Sequence, residues 1–279
     1  MQLLNPPGDF SRYYANENYY SFNLKKKKTS TDVLRKAKAS YLLYNQNKIL
    51  GRLLSIGYKM PDYYHWMTGS SAKRNDAVLD VGCGNGSLLS NLSAIGFTDL
   101  TGIDPFLDAD TMLGTVKILK KEIYDLQPSF DLIMMHHSLE HMFQPLRALQ
   151  KAYELLKKDG SLLVRIPIMG NYGWQHYGTL WCGLDAPRHI FIPSEKGFRM
   201  LADQAGFKIR KLEYDSSDYV IWSSEQYKKG IPLHAPNSRM TNRKSTLFSK
   251  EEIVQFKKTI AVENRRNNGD TAAFYMTKE

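Results

Sequence analysis

Residues 77–86 read Ala-Val-Leu-Asp-Val-Gly-Cys-Gly-Asn-Gly. Ala77 to Val81 is a short apolar run rich in β-branched side chains and interrupted by one carboxylate, Asp80, which predicts a strand buried on both faces. Glycines follow at 82, 84 and 86, so the chain can turn tightly there and bring bare backbone against a ligand. Ser87 to Ile95, closed by Gly96, reads as a helix whose unpaired N–H groups and positive end face the same loop. Leu100 to Asp104 is a second strand ending on a carboxylate, 22 residues beyond Gly82. An acid at that place can accept both hydroxyls of a ribose. Strand, glycine loop, helix, strand and acid together predict nucleoside binding. The dinucleotide fingerprint sets its third glycine three places after the second, where this chain has Ser87, and that spacing argues against a pyridine dinucleotide.

Working outward, the alternation of apolar runs and helical stretches continues. Val116 to Leu119, Phe130 to Met135 and Ser161 to Ile168 read as further strands, with a helix at Pro145 to Leu156 backed by Gly160. This is the pattern of a parallel sheet built from βαβ units, an α/β fold of the Rossmann-like kind. Beyond it, a loop rich in Gly, Trp and His precedes a helix at Ser194 to Ala205 and a strand at Phe207 to Tyr214. An irregular stretch, 216–246, is followed by a helix near Ser249 to Glu263 and a last strand, Ala272 to Met276. Upstream, Thr31 to Ser55 carries Val33, Leu34, Ala37, Tyr41, Tyr44, Ile49 and Leu53 at helical spacings, with Ser30 or Thr31 as cap, and predicts a helix with one buried face. The first 30 residues, with Asn5-Pro6-Pro7-Gly8 and Tyr13, Tyr14, Tyr19, Tyr20 and Phe22, read as an arm. The expected organisation is an arm and helical cap over 1–75, then one domain over 76–279 with insertions near 169–192 and 216–248.

Composition narrows the classes. The 279 residues are 42% hydrophobic and 24% charged, ordinary values that exclude a disordered, collagenous or coiled-coil chain. Two cysteines cannot build a disulfide scaffold or a four-cysteine zinc site, and fit a reducing compartment. The longest apolar runs fall short of a membrane span and the first residues lack signal-peptide order, so a cytoplasmic protein is expected. The net charge of +10, with a run of four lysines at 25–28, raises the question of an anionic partner without naming one.

Val78 to Gly86 resembles the first motif of class I S-adenosylmethionine-dependent methyltransferases, and Gly102-Ile103-Asp104-Pro105 resembles their ribose-binding acidic tip. Phe130 to His141, Leu155 to Val164, Asp185-Ala186-Pro187-Arg188-His189 and Ala205-Gly206-Phe207 are similar to the branch that includes ubiquinone-type O-methyltransferases. The resemblance covers about 76–215 and the last strand. It implies a class I methyltransferase sheet with S-adenosylmethionine as cofactor. On that resemblance Gly82, Cys83, Gly84 and Gly86 approach the methionine end, Asp80 orders the loop and the ammonium, Asp104 takes the ribose, and Pro105 and Phe106 border the adenine. Glu122 and Ile123 face the adenine edge, with Asp125 a competing acid, and His136 lies beside the sulfonium.

Methyl transfer from a sulfonium is an in-line displacement, so alignment supplies most of the acceleration. A hydroxyl acceptor also needs a base, and histidine suits that task near neutral pH. His137, His141 and His189 are the expected candidates. His137, Glu140 and His141 have i, i+3, i+4 spacing, but some members of the branch carry an acid where this chain has His137, and no metal is expected. Arg188 is expected to hold an anionic acceptor group or to pair with Asp185, with Trp181 and Tyr177 as further acceptor contacts. The expected activity is methyl transfer to a small-molecule or glycan acceptor, at oxygen, in the manner of bacterial polysaccharide pathways. That preference rests on similarity of the stretch around Trp222 to Pro232. An RNA-directed methyltransferase, a nicotinamide-dependent oxidoreductase and a non-catalytic cofactor-binding protein are the alternatives. His136-His137-Ser138-Leu139 lacks the Asn/Asp-Pro-Pro-aromatic type that base methylation favours, so nucleic acid is not expected. Oligomerisation is left open.

Overall fold

The computed structural model describes residues 1, 2, 7, 8, 13, 32–127, 129–242 and 245–279. The arm tyrosines Tyr14, Tyr19 and Tyr20, with Phe22, the lysine run 25–28 and the cap candidates Ser30 and Thr31, lie outside them. In chain order the elements are α1 (Asp32–Tyr44), α2 (Lys48–Ser55), α3 (Asp62–Gly69), β1 (Ala77–Val81), α4 (Ser87–Ala94), β2 (Asp99–Ile103), β3 (Thr111–Leu113), β4 (Val116–Leu119) and β5 (Phe130–His136). There follow α5 (Pro145–Leu155), β6 (Leu156–Pro167), α6 (Tyr172–Tyr177), α7 (Glu195–Gln204), β7 (Phe207–Tyr214), α8 (Tyr219–Lys228), α9 (Lys250–Arg265) and β8 (Thr271–Lys278).

The strands form one eight-stranded sheet in the order β3-β4-β2-β1-β5-β6-β8-β7. Pairs from β4 through β6 are parallel, and β8 runs antiparallel between β6 and β7. Apolar side chains leave both faces of each central strand, as a covered parallel sheet requires. One face, with Leu79, Ile133, Leu162 and Phe274, packs under α5 and α7. The other, with Val78, Leu100, Met134 and Leu163, packs under α4 and receives Ala39, Tyr64 and Met67 from the N-terminal helices. The α5 helix buries Ala148, Leu149, Ala152 and Leu155, one stripe at helical spacing, and starts at Pro145, which has no N–H to leave unpaired.

The chain order reverses at β1, with β2 on one side and β5 on the other, so the carboxyl ends of β1, β2 and β5 open a crevice. Because β8 is antiparallel, its first residues, Asp270 and Thr271, reach the same edge beside Pro167.

Two expectations are corrected. The single helix over 31–55 is a helical hairpin, α1 and α2, broken where Asn45 and Asn47 take left-handed φ values of 54° and 52°. A β-carbon on Gly51 would overlap the Tyr41 side chain, so α2 meets α1 through its glycine side. Val33, Ile49 and Leu53 consequently face solvent instead of the core. The stretch 216–246 is not irregular throughout: α8 lies inside it and buries Val220, Ile221 and Trp222. Its mixed composition has no helical moment because it is enclosed on several sides. No helix among the described residues is long and apolar enough to cross a membrane.

Candidate active site

The crevice is a cavity of about 1220 Å³ whose wall runs from the glycine loop, through the ends of β2, β5 and β6, to the 181–189 loop and the start of β8. At one end, Gly82, Gly84 and Gly86 all take left-handed φ values (76°, 52° and 71°), which a side chain would resist. A β-carbon on Gly82 would stand 2.6 Å from Cβ of Ser138. Gly82 and Cys83 donate their N–H groups to the Ile103 carbonyl at 2.8 and 3.0 Å, tying the loop to β2.

Asp104 is held by two backbone donors: Gly84 N–H at 3.1 Å on one oxygen and Phe106 N–H at 2.9 Å on the other. Burial pushes its carboxyl up, against the pull of those two donors. Asp80 is more deeply enclosed. Burial, with Asp104 beside it, pushes it to about 7. Two enclosed acids with raised values suit a cationic ligand.

Where β5 ends, His137 takes a left-handed φ of 51°, held by its N–H on the Arg165 carbonyl at 2.9 Å. His136 turns inward. Its ring lies 4.4 Å from that of Trp66, neither nitrogen has a hydrogen-bond partner among the described residues, and burial drives it well below the usual imidazole range. Ser138 Oγ is likewise buried without a partner. Trp66 also donates to Asp215 at 3.2 Å and carries the Arg165 guanidinium over its ring at 4.4 Å. Arg165 in turn grips Asp215 bidentately, at 2.7 and 2.9 Å.

The opposite wall holds the histidines. Glu140, wholly buried, would be raised by that burial, but the hydrogen bond from His137 and the imidazoles of His137, His141 and His189 around it hold it down, to about 2. His141 and His189 lie with ring centroids 4.8 Å apart. The Nδ1 of His141 is 2.9 Å from the Arg188 carbonyl and that of His189 is 2.8 Å from the Gly183 carbonyl. Carbonyls only accept, so each Nδ1 carries a proton and Nε2 is the nitrogen left to act as a base. His189 Nε2 faces Glu140 at 3.9 Å and Asp185 at 3.7 Å. Burial lowers His141. Arg188 pairs with Asp185 at 2.6 Å, the loop-holding arrangement of the two expected. Ligand atoms of Glu140, His141 and His189 lie within 4.8 Å of one another, so these three residues could hold a divalent cation.

Of the residues singled out from the sequence, Gly82, Gly84, Asp104, Pro105, Phe106, Glu122, Ile123, His136, His137, His141, Trp181, Asp185, Arg188 and His189 line the one cavity. Glu122 and Asp125 cap the turn Ile123–Asp125 reciprocally. Asp80, Cys83 and Gly86 stand behind its surface. Tyr177 does not line it; the ring packs with Trp181, Ile192 and Ile221 in a separate apolar cluster. The lining residues not found in the sequence include Trp66, Arg165, Asp215 and Asp270. Asp270 accepts from Gly173 N–H at 2.5 Å through one oxygen, its other oxygen has no partner among the described residues, and burial pushes it to about 7. Arg165 and Asp215 lie at the carboxyl ends of β6 and β7, Asp270 just before antiparallel β8 and Trp66 on α3, and only the folded sheet order brings them together.

A family model described as a methyltransferase domain matches residues 55–212, more than half of the chain. This chain belongs to that family. It is a class I S-adenosylmethionine-dependent methyltransferase. Its fold resembles a chain of the Haloferax volcanii complex between the Trm112 methyltransferase activator and a methyltransferase, at TM-score 0.52 and 17% identity, over 77% of this chain and 87% of that one. It also resembles mycolic acid cyclopropane synthase CmaA1, solved with SAH and CTAB, at TM-score 0.51 and 13% identity, over 89% and 94%. Among curated proteins, EEF1A lysine methyltransferase 2 of Danio rerio is 49% identical over 39 residues, 14% of this chain and 17% of that protein.

The methyltransferase's residues fit its cofactor. A cationic sulfonium and ammonium answer the raised Asp80 and Asp104, the left-handed glycines leave room for its backbone contacts, and Ser138 and His136 offer unpartnered polar atoms nearby.

Proposed function

We propose that this methyltransferase transfers the methyl group to a hydroxyl oxygen of a small-molecule or sugar acceptor, with His189 as general base. The observation that carries the reading is the setting of His189, a cavity-lining residue whose Nδ1 is tied to a backbone carbonyl at 2.8 Å and whose Nε2 lies 3.9 Å from Glu140 and 3.7 Å from Asp185. When bound, S-adenosylmethionine supplies a methyl group already attached to a good leaving group.

The chain's own residues do the rest. Asp104 and the glycine loop fix the nucleoside, and Asp80 meets the positive charge. Trp66, Met142 and Phe143 give the cavity an apolar wall against which the acceptor is aligned, and that alignment yields most of the rate. His189 Nε2 accepts the hydroxyl proton, and the imidazolium formed is stabilised by Glu140 and Asp185 across 3.9 and 3.7 Å. Arg188, already neutralised by Asp185, holds the loop that carries His189. Trp181 and Asp270, each with an unpartnered buried polar atom beside the cavity, suit an acceptor rich in hydroxyls, which both donate and accept.

The test is incubation of the enzyme and of His189→Ala with labelled cofactor and fractionated sugar and small-molecule extracts, followed by mass spectrometry of the labelled product. Label on an oxygen of a small acceptor, lost in the variant, supports the reading. Label on protein or RNA, or equal transfer by the variant, overturns it.

A further inference from the structure

The +10 net charge is not spread over the molecule. Residues 25–61 hold ten Lys and Arg against one acid, Asp32, and so account for +9 of it. This stretch contains the α1–α2 hairpin, and the hairpin carries a second unusual feature. Ile49, Leu53 and Ile56 stand at i, i+4 and i+7 along α2 and just past its end, and are 85%, 63% and 77% exposed. Leu50 on α2 and Val33 and Leu34 on α1 are exposed as well. Side chains of this kind at helical spacing ordinarily face a core. Here Gly51 and Ser55 occupy the inward side, Ser55 donating to the Gly51 carbonyl at 2.7 Å, and the packing of Gly51 against Tyr41 fixes the apolar face outward. Exposed cations Lys36, Lys48, Arg52 and Lys59 flank it.

We propose that this face docks the protein on an anionic membrane surface, with α2 lying in the interface. The pairing of an apolar stripe with flanking cations, against the single acid Asp32 on α1, is the chemistry such a surface selects. RNA would use the charge but leave Ile49, Leu53 and Ile56 in water. A second copy of the chain, docked about a two-fold axis, would bury the leucines but bring Lys48 and Arg52 against their own kind. Docking also has a consequence for the site: the chain leaving Ile56 reaches Asp62 and Trp66, both in the cavity wall, within ten residues. Acceptors gathered at the bilayer surface are thereby brought near the cavity.

The test is cosedimentation of the full-length protein with vesicles of phosphatidylcholine alone and of phosphatidylcholine with phosphatidylglycerol. Binding is expected only with the anionic lipid and should weaken as salt rises. Lys48→Gln with Arg52→Gln should lower the partition coefficient about 25-fold, at about fivefold per cation. Ile49→Asp with Leu53→Asp should abolish binding while leaving the melting temperature and cofactor affinity unchanged. Absence of vesicle binding by the wild type overturns the proposal. So does a dimer in light scattering that the Asp variant converts to monomer, which identifies a second copy as occupant. A fall of several degrees in melting temperature in the Asp variant, which identifies another segment of the chain, overturns it too, as does retention on poly(U) RNA in place of vesicles.

Discussion

Replacing Asp80 by Asn should raise the stability of the free enzyme while weakening its hold on the cofactor. Asp80 is buried, and burial together with Asp104 moves its carboxyl from 3.8 to about 7. An acid whose folded-state value lies above its unfolded one costs stability as pH climbs from the lower value to the higher, and the cost is constant above both. The wild type should therefore lose stability between about pH 4 and pH 7 through this residue. At 1.36 kcal/mol per unit the full cost is about 4 kcal/mol. A chain of 279 residues unfolds with about 0.6 kcal/mol per kelvin of entropy at the usual per-residue value, so ~7 °C of melting temperature is at stake. Asp80→Asn should melt ~7 °C above the wild type at pH 8 and level with it at pH 4, in a thermal-shift series without ligand. Saturating S-adenosylmethionine should reverse the order at pH 8, since only the ionised carboxylate meets the cofactor's positive charge. A difference that is flat from pH 4 to pH 8, or an Asn variant that melts below the wild type at pH 8, would refute the raised Asp80 carboxyl and its pairing with the cofactor's charge.

Three further outcomes are expected. Gly82→Ala, which forces a left-handed side chain to within 2.6 Å of Ser138 Cβ, should abolish cofactor binding in calorimetry while the chain still melts cooperatively. His189→Ala should leave the cofactor dissociation constant unchanged and lower kcat by roughly 10² to 10⁴, the range of a general base; unchanged turnover removes His189 from the chemistry. Zinc should inhibit by occupying Glu140, His141 and His189, and a chelator should restore the rate; activity that requires added metal would contradict the histidine base.

The parts of the fold legible in the sequence were those where one local signal suffices. Val78-Leu79 leading into Gly82 names a strand and its loop because backbone conformation and ligand approach demand glycine there, and Asp104 follows at the spacing of one βα unit. Trp66 comes from α3, Arg165 from β6 and Asp215 from just past β7, and only the sheet order, with β8 inserted antiparallel beside β6, brings them into one wall. Asp270 belongs to the same class. The hairpin misled in a different way: Ile49 and Leu53 have the periodicity of a buried stripe, and periodicity does not say which side of a helix is covered. Gly51, the smallest residue of α2, does, but its contact with Tyr41 is visible only after folding.

If the glycine loop, Asp80 and Asp104 together hold the adenosyl sulfonium, binding must move a proton. Calorimetric titration with S-adenosylmethionine at pH 7, repeated in buffers of different ionisation enthalpy, tests it most directly. One molecule should bind per chain with release of about half a proton, because Asp80, half protonated near its value of about 7, ionises fully beside the cation. No heat with this compound while a pyridine dinucleotide binds, or binding with proton uptake, would contradict it.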